Sequence, residues 1–395
     1  MKKILIVISN MGIGGAEKSL LSFLKSLTAS AHNAQYRIHL MVVAPGGALH
    51  TQVPEAVVSA EPSKALRWLG MGFGKQLLTE YFSVDCAVGQ LKWFAKKAFR
   101  QFPKEWNVQQ QLWENWKDRI PAVTEEYDVA ISYNDGYTGY FVMEKVTAKK
   151  KVLWVHSEYQ KLKYDPEYDR PYYEKADAVV TISEKCRECI LQEFPQCNVS
   201  VLENITIAQD VLDQSVAGTA DVYGSQFNLL TVARLNPMKG VDIAVDAAKL
   251  LKASGVEFCW LVIGDGPERE HLQEQIQNAG VEDCFRLLGS RDNPYPYIKN
   301  CDILVQSSRV EGRSIVLDEA KILEKPIVAT NYTTVSDSLT HGVTGWIVDM
   351  TPEAVAQGIM HLWENTPLRN RLQENLRQLS KTNEPLLQRY MDVML

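Results

Sequence analysis

The chain has 395 residues, of which 23% are charged and 46% hydrophobic, a balance typical of a globular protein with two or three domains. Its formal net charge of −6 argues against a general nucleic-acid binder, which is usually basic. The seven cysteines are odd in number and scattered, which favours reduced thiols in a cytosolic protein over a disulfide framework.

The first predicted unit is a strand, a glycine-rich turn and a helix. Residues 3–9 are apolar, residues 10–15 contain three glycines, and residues 16–27 have the periodicity of an amphipathic helix. Such a turn can bring the backbone close to a phosphate. A dinucleotide site is an alternative, but the glycine pattern is incomplete and the second strand, 37–43, ends without the acidic residue that binds a ribose. A tight turn without a ligand is the third interpretation.

Residues 62–118 interrupt the α/β pattern with an insert rich in aromatic and basic residues. Its aromatic residues are Trp68, Phe73, Tyr81, Phe82, Trp93, Phe94, Phe99, Phe102, Trp106, Trp113 and Trp116, and its basic residues include Lys92, Lys96, Lys97, Arg100 and Lys104. The helical periodicity of 91–104 fits a helix on an anionic membrane surface, and it also fits a helical hairpin packed on the first domain.

The α/β pattern then resumes with strands predicted at 128–133, 151–155 and 177–182. Asp135 and Gly136 follow the first of these strands, and His156 follows the second. Because ligands bind at the carboxyl ends of strands in open α/β sheets, these residues are candidate site residues. The first Rossmann-like domain is predicted to span 1–207.

Residues 208–225 are polar and lack periodicity, so they are predicted to be a linker. The pattern restarts over 226–380 as a second Rossmann-like domain. Arg234 and Lys239 follow its first strand, and Gly264 follows its second. The last segment, 381–395, is predicted to be a helix that packs back on the N-terminal domain.

Residues 307–319 form a predicted strand-to-helix turn with two glutamates, Glu311 and Glu319. The free N–H groups of residues 312–316 would form an anion site at the helix N-terminus. With Arg234 and Lys239, they would neutralise a diphosphate without a metal, and a helix glutamate can accept hydrogen bonds from both hydroxyls of a ribose. The pattern therefore predicts group transfer with a nucleoside diphosphate as the leaving group, at a cleft between the two domains.

Four segments also resemble the family 4 retaining glycosyltransferases, which have the two-Rossmann architecture known as GT-B. The segments are Gly14-Gly15-Ala16-Glu17, Val232-Ala233-Arg234-Leu235 with Lys239-Gly240, Val262-Ile263-Gly264-Asp265-Gly266-Pro267, and Asn293 to Tyr297 running into Ser308-Arg309-Val310-Glu311-Gly312 and Glu319. The two glutamates with seven residues between them are the most specific mark. The resemblance is good over the second domain and poor over 62–118.

The resemblance implies a role for each matching position. Glu311 and His156 would lie near the transferred sugar, with Arg234 and Lys239 stabilising the departing diphosphate. Donor binding would involve Gly14, Gly15, Arg234, Lys239, Gly264, Arg291, Gly312, Ser314, Ile315, Val316 and Glu319, with Glu319 on the ribose and Arg291 near the base. Asp135 and Gly136 would face the acceptor.

The resemblance further implies a retaining hexosyltransferase that uses a UDP-sugar and requires no cofactor or metal. The acceptor would be a lipid-linked or cell-surface glycan, and the protein would be cytoplasmic or peripheral at the inner face of the plasma membrane. A nucleotide-sugar epimerase and a non-catalytic glycan- or partner-binding protein are the alternatives. The chain departs from the family pattern at two places, the segment Glu203-Asn204-Ile205-Thr206-Ile207 and Arg313. The side chain of Arg313 would reach a charged ligand or point to water.

Overall fold

The computed structural model describes residues 1–30, 32–71, 84–217, 223–224, 226–379 and 384–394. It divides into two compact units, the first formed by 1–205 and 384–395 and the second by 206–383. Each unit contains one parallel sheet with helices around it. The predicted class, α/β with two Rossmann-like domains, is confirmed.

The described part of the first unit has a parallel sheet in the order β3-β2-β1-β4-β5-β6-β7. Its strands are β1 (Lys2–Ile8), β2 (Tyr36–Val42), β3 (Val58–Ser59), β4 (Glu126–Ser132), β5 (Thr147–Val155), β6 (Ala178–Thr181) and β7 (Val199–Val201). The central strands end in fully buried runs, as expected for strands covered by helices on both faces.

The α-helices described in this unit before residue 206 are α1 (Gly15–Ala29), α2 (Lys64–Gly70), α3 (Val84–Ala98), α4 (Val108–Trp116), α5 (Tyr137–Lys145), α6 (Tyr159–Leu162), α7 (Pro166–Lys175) and α8 (Glu184–Glu193). On one face of the sheet, Leu20 and Leu24 of α1 enter the core, and on the other face Trp113 and Trp116 of α4 do so. The burial of these four side chains explains why α1 and α4 are amphipathic.

The described part of the second unit has a parallel sheet in the order β10-β9-β8-β11-β12-β13. Its elements are α9 (Ala208–Ser215), β8 (Phe227–Val232), α10 (Val241–Ala253), β9 (Phe258–Ile263), α11 (Arg269–Ala279), β10 (Phe285–Gly289), α12 (Tyr295–Asn300), β11 (Ile303–Gln306), α13 (Ile315–Ile322), β12 (Ile327–Thr330), β13 (Trp346–Val348), α14 (Pro352–Glu364) and α15 (Thr366–Arg377).

Each sheet has a topological switch point, where the strand order reverses and ligands bind in open α/β sheets. In the first unit it lies between β1 and β4, and in the second between β8 and β11. The loops after β8 and β11 carry Lys239 and Glu311, respectively. The topology therefore brings the predicted cation and carboxylate of the second unit to one edge of its sheet.

The linker predicted over 208–225 differs from the structure. Residues 208–215 form helix α9, because Val211 is buried in the core of the second unit and gives the segment an apolar anchor. Residues 218–222 and 225 lie outside the described residues. The last helix, α16 (Glu384–Met394), belongs to the first unit, where Leu387 and Tyr390 are buried.

The insert contains both packed and exposed aromatic residues. Trp68, Trp93, Trp113 and Trp116 are buried, whereas Phe99 is 76% exposed. Phe73, Tyr81 and Phe82 lie outside the described residues. Among the helices that the structure describes, none has the length and apolar character needed to cross a bilayer.

Candidate active site

The loops after β8 and β11 are held together at Gly240. This residue has φ of +59°, and a Cβ there would lie 2.0 Å from the carbonyl oxygen of Ser307. Only glycine permits this approach, which is strengthened by the backbone N–H of Arg309 donating to the carbonyl of Met238 (2.7 Å). The position of Lys239 relative to Glu311 is thus set by the backbone.

Arg309 adds a side-chain clamp to the same two loops. Its guanidinium donates twice to the carboxylate of Asp242 (2.7 and 2.6 Å) and once to the carbonyl of Pro237 (2.9 Å). The bidentate geometry fixes direction as well as distance. Burial raises the pKa of Asp242, but the hydrogen bonds and charge of Arg309, with backbone hydrogen bonds, outweigh it, so the pKa lies below its usual value.

Glu311 is held by three donors. Lys239 Nζ lies 2.6 Å from its Oε2, and Gln306 Nε2 and Ser308 Oγ both donate to its Oε1 at 2.7 Å. The Glu311 side chain is 9% exposed and that of Lys239 is 25% exposed. A carboxylate with this many partners is fixed in direction, while the lysine stays within reach of solvent.

Arg234 and Gly264 belong to a second pair of touching loops. Gly264 has φ of +142°, and a Cβ there would lie 1.9 Å from the carbonyl oxygen of Ala233. The carbonyl of Asp265 accepts from the backbone N–H of Leu235 (3.0 Å). Arg234 is exposed, and no hydrogen bond or ion pair joins its side chain to the other described residues.

The predicted anion site at residues 312–316 lies at the start of α13. Ser314 is the N-cap residue, with no side-chain cap hydrogen bond, and Gly312, Ser314 and Ile315 are buried while Val316 is half-buried. The N–H groups of the first helical turn have no partners within the helix. They lie beside Glu311 in the chain and provide partial positive charge at that point.

From the sequence, Arg313 was expected to reach a charged ligand or to point to water, but the structure holds it against neighbouring residues. Its side chain is 9% exposed, its Nε lies 3.4 Å from Asp318 Oδ2, and it donates to the carbonyl of Asp337. Lys321 also pairs with Asp318 (2.7 Å). Asp318 lies in the first turn of α13, whereas Arg313 precedes the helix. Their ion pair therefore connects the loop before α13 to the helix.

Glu319 is fully buried and the Tyr295 hydroxyl donates to its Oε1 (3.0 Å). Burial, and secondarily the Glu319 charge, raise the pKa of Tyr295. The side chain of Asn293 donates to carbonyls of residues 214 and 217, which ties this segment to α9. The ribose role of Glu319 stays a prediction, and so does the base contact of Arg291, which is exposed.

In the first unit, the glycine turn precedes α1. Gly14 is the N-cap residue, and a Cβ there would lie 2.2 Å from Glu17 Oε2. Gly15 opens the helix and is exposed, so its N–H is available to a ligand. The Asn134 side chain accepts from the backbone N–H of Ser9 (2.9 Å) and joins this turn to the end of β4.

Asp135 and Gly136 lie beside Tyr164. The Tyr164 hydroxyl donates to Asp135 Oδ2 (2.7 Å), and a Cβ at Gly136 would lie 2.9 Å from that hydroxyl. Burial raises the pKa of Asp135, and the hydrogen bond from Tyr164 opposes this effect. The acceptor role predicted for both residues stays a prediction.

A second carboxylate, Asp169, is 1% exposed near Asp135. It accepts from the hydroxyls of Tyr140 (2.6 Å) and Tyr159 (2.8 Å) and from the amide of Gln110 (2.9 Å). Burial raises its pKa to about 6 despite these hydrogen bonds. The network links α4 of the insert to α5, α6 and α7.

His156 lies after β5 with its ring stacked on Trp154, at a centroid separation of 5.5 Å. Its Nε2 donates to the carbonyl of Tyr133 (3.0 Å), which leaves Nδ1 as the acceptor in the neutral ring. Burial lowers the pKa of His156 to about 4. The imidazole is therefore neutral at physiological pH.

Several residues of these networks were absent from the sequence prediction. Gln306 and Ser308 were not singled out as partners of Glu311, although Ser308 lies within the matched motif. Gln110 and Asp169 are 59 residues apart, and nothing in the local pattern indicates their contact. Among the described residues, no group of three or more His, Cys, Asp or Glu side chains is arranged to hold a metal ion.

Comparison with known proteins finds a family model that matches most of the second unit. Residues 220–379 match the model of the family described as glycosyl transferases group 1. The amylovoran biosynthesis glycosyltransferase AmsK of Erwinia amylovora is 29% identical over 147 residues, 35% of this chain and 35% of that protein. The alpha-D-kanosaminyltransferase of Streptomyces kanamyceticus is 30% identical over 151 residues, 37% of this chain and 39% of that protein. The chain thus matches little more than a third of the length of these relatives.

Solved structures are similar over nearly the whole chain. The structure of Anabaena Alr3699/HepE in complex with UDP and glucose has a TM-score of 0.69 at 17% identity and covers 99% of both chains. Sucrose-phosphate synthase from Thermosynechococcus elongatus has a TM-score of 0.70 at 16% identity, covering 99% of this chain and 98% of its own. At these identities the likeness establishes the fold, while the family match covers the unit that holds Lys239 and Glu311. Residues 220–379 are thus similar to the group 1 glycosyltransferases.

Proposed function

We propose that the protein transfers a sugar, with retention of configuration, from a UDP-linked donor to a lipid-linked or cell-surface glycan. The observation that carries the proposal is the Lys239–Glu311 pair, fixed by backbone contacts beside the N-terminus of α13. The names of relatives agree with it, since AmsK is named for amylovoran biosynthesis and HepE has been solved with UDP and glucose.

The donor diphosphate is proposed to bind at Arg234, Lys239 and the first N–H groups of α13. Arg234 is exposed, and Lys239 is exposed enough to exchange its contact with Glu311 for a phosphate oxygen. Two cations and a helix N-terminus offset the charge of a diphosphate, so the proposed reaction requires no metal. Glu311, held by Gln306 and Ser308, would accept from sugar hydroxyls.

In the proposed reaction the bond between the sugar C1 and the diphosphate oxygen breaks, and the acceptor oxygen bonds to C1 on the same face. The acceptor proton passes to the leaving phosphate, so no protein nucleophile is required. Arg234 and Lys239 stabilise the charge that develops on the leaving group. His156, neutral at physiological pH, would contribute a hydrogen bond rather than a charge.

The binding test compares Arg234→Met and Lys239→Met by UDP calorimetry. We expect each variant to bind UDP about 10- to 100-fold more weakly, because hydrogen bonds to charged groups contribute roughly 1.5–3 kcal/mol. Lys249→Met, an exposed lysine on α10, is the matched control. Unchanged UDP affinity in both variants, with native circular dichroism, would show that the diphosphate site is assigned incorrectly.

The reaction test measures UDP release from a panel of UDP-sugars with and without a lipid-linked glycan acceptor, in the presence of EDTA. We expect release to rise with the acceptor and to be insensitive to EDTA. Nuclear magnetic resonance of the product would report the anomeric configuration. Conversion of the donor sugar without any acceptor would instead identify an epimerase.

A further inference from the structure

Helix α3 carries apolar side chains on the side that faces away from the protein. Val88 is 39% exposed, Leu91 is 68% exposed, and Ala95 and Ala98 are exposed too. Their spacing of three, four and three residues places them on one side of a helix. Phe99, just beyond the helix, is 76% exposed. This arrangement is the reverse of that expected for a surface helix of a soluble domain.

The opposite side of α3 is fixed to α4. The carbonyl of Gly89 accepts from the Asn115 side chain (3.0 Å), and a Cβ at Gly89 would lie 3.1 Å from the ring of Trp116. Trp93, one turn further on, is 1% exposed. These contacts set the rotation of the helix about its axis, so the apolar side is held outward by tertiary packing.

Cations border this apolar side. Lys92 and Arg100 are exposed beside it, whereas the ammonium of Lys97 lies over the ring of Trp93, 4.8 Å from its centroid. The sequence from 86 to 104 contains five basic residues and no aspartate or glutamate. The chain as a whole has a net charge of −6, so the region is basic against an acidic background. A surface that combines exposed apolar side chains with cations is complementary to the headgroup and acyl boundary of an anionic bilayer.

We propose that the outward side of α3, with Phe99 and Arg100, docks on an anionic lipid bilayer. We call this surface the α3 face, defined by Val88, Leu91, Lys92, Ala95, Ala98, Phe99 and Arg100. Leu91 and Phe99 enter the boundary between headgroups and acyl chains, and the cations contact lipid phosphates. The interaction goes beyond the proposed sugar transfer and requires no donor, so the two proposals can fail independently.

The first experiment sediments the full chain with phosphatidylcholine vesicles that do or do not contain phosphatidylglycerol. We expect binding to the anionic vesicles, little to the neutral ones, and loss of binding at 1 M salt, where the Debye length falls from about 10 Å at 0.1 M to about 3 Å. Absence of binding to the anionic vesicles would overturn the proposal.

The second experiment replaces Lys92 and Arg100 together with glutamine. We expect vesicle partitioning to fall roughly 25-fold, because each basic residue near an anionic surface contributes about fivefold. The matched control replaces Lys249 and Lys299, two exposed lysines elsewhere, with glutamine and should leave partitioning unchanged. An equal loss in both double variants would overturn the proposal, since the net charge and not the α3 face would then govern binding.

The third experiment tests the apolar contribution with Leu91→Ser and Phe99→Ser combined. Both side chains are exposed, so folding should be unaffected, and vesicle binding should fall at least tenfold. Thermal melting of each variant checks the fold. Self-association of the wild type without vesicles, abolished by these two substitutions, would assign the α3 face to a second copy of the chain and overturn the proposal.

Discussion

The two switch points are built in different ways. In the second unit the loops after β8 and β11 meet through backbone, at Gly240 against Ser307. In the first unit the corresponding turns meet through side chains, with Asn134 accepting from the backbone of Ser9. Backbone contacts enforced by glycine leave a short motif in the sequence, whereas side-chain contacts between distant segments do not.

The carboxylates of the two units also differ in their partners. Glu311 is paired with a cation, Lys239, which is exposed enough to exchange partners. Asp169 is surrounded by neutral donors from tyrosines and a glutamine, and its pKa is raised to about 6. The second unit therefore carries charge that suits an anionic ligand, and the first carries a buried network whose charge depends on pH.

The largest effect is expected from Gly240→Ala. The added Cβ would meet the Ser307 carbonyl, and we expect the free energy of unfolding to fall by about 4 kcal/mol. Gly280→Ala is the matched control, because Gly280 has φ of +66° with nothing within 4 Å of its Cβ position, and it should cost about 1 kcal/mol. Urea denaturation measures both, and equal costs would contradict the close-contact interpretation.

A smaller effect, dependent on pH, is expected from Asp169→Asn. The folded-state pKa of about 6 lies above the ordinary value of 3.8, so the contribution of Asp169 to stability is present below pH 3.8 and lost as the pH rises through 6. The free energy of unfolding of the wild type should fall relative to that of the variant by roughly 3 kcal/mol across this range. Parallel pH profiles of the two proteins would show that burial does not raise the pKa of Asp169.

Gln306→Leu should alter catalysis more than stability. Gln306 donates to Glu311, and its Oε1 has no hydrogen-bond partner among the described residues, so we expect a cost of about 1 kcal/mol. If it positions Glu311, the proposed transfer should lose about tenfold in kcat with little change in the donor KM. Ser308→Ala removes the second donor to Glu311 Oε1 and should lower kcat in the same way. A change in KM alone would argue for a structural role.

The smallest effect is expected from a change of pH near neutrality on the charge of His156. Because burial lowers its pKa to about 4, its imidazole should show no titration between pH 5.5 and about 8 in a nuclear magnetic resonance experiment. Its contribution to stability is present above the ordinary pKa of 6.5 and lost as the pH falls through 4. A midpoint near 6.5 would indicate a solvated ring.

The sequence predicted the second unit better than the first. Strands, glycine loops and the two glutamates of the second unit are local patterns, and the structure brings Lys239 and Glu311 together as their positions at strand ends require. Helix α9 was missed because its polar sequence has one strong apolar anchor, Val211, whose burial depends on distant elements. The position of Arg313 was not predicted, because no local pattern in the sequence indicates its ion pair with Asp318.

The sequence by itself determined two parallel-sheet domains, the loops that carry the candidate site and the amphipathic pattern of 91–104, since these depend on periodicity and on glycines at strand ends. Tertiary structure decided which side of α3 faces outward, because Gly89 packs against Trp116 of α4, and Trp93 is buried while Leu91 is exposed. It also decided the partners of Asp169 and Glu311. Those contacts join segments far apart in the chain, and no local sequence pattern encodes them.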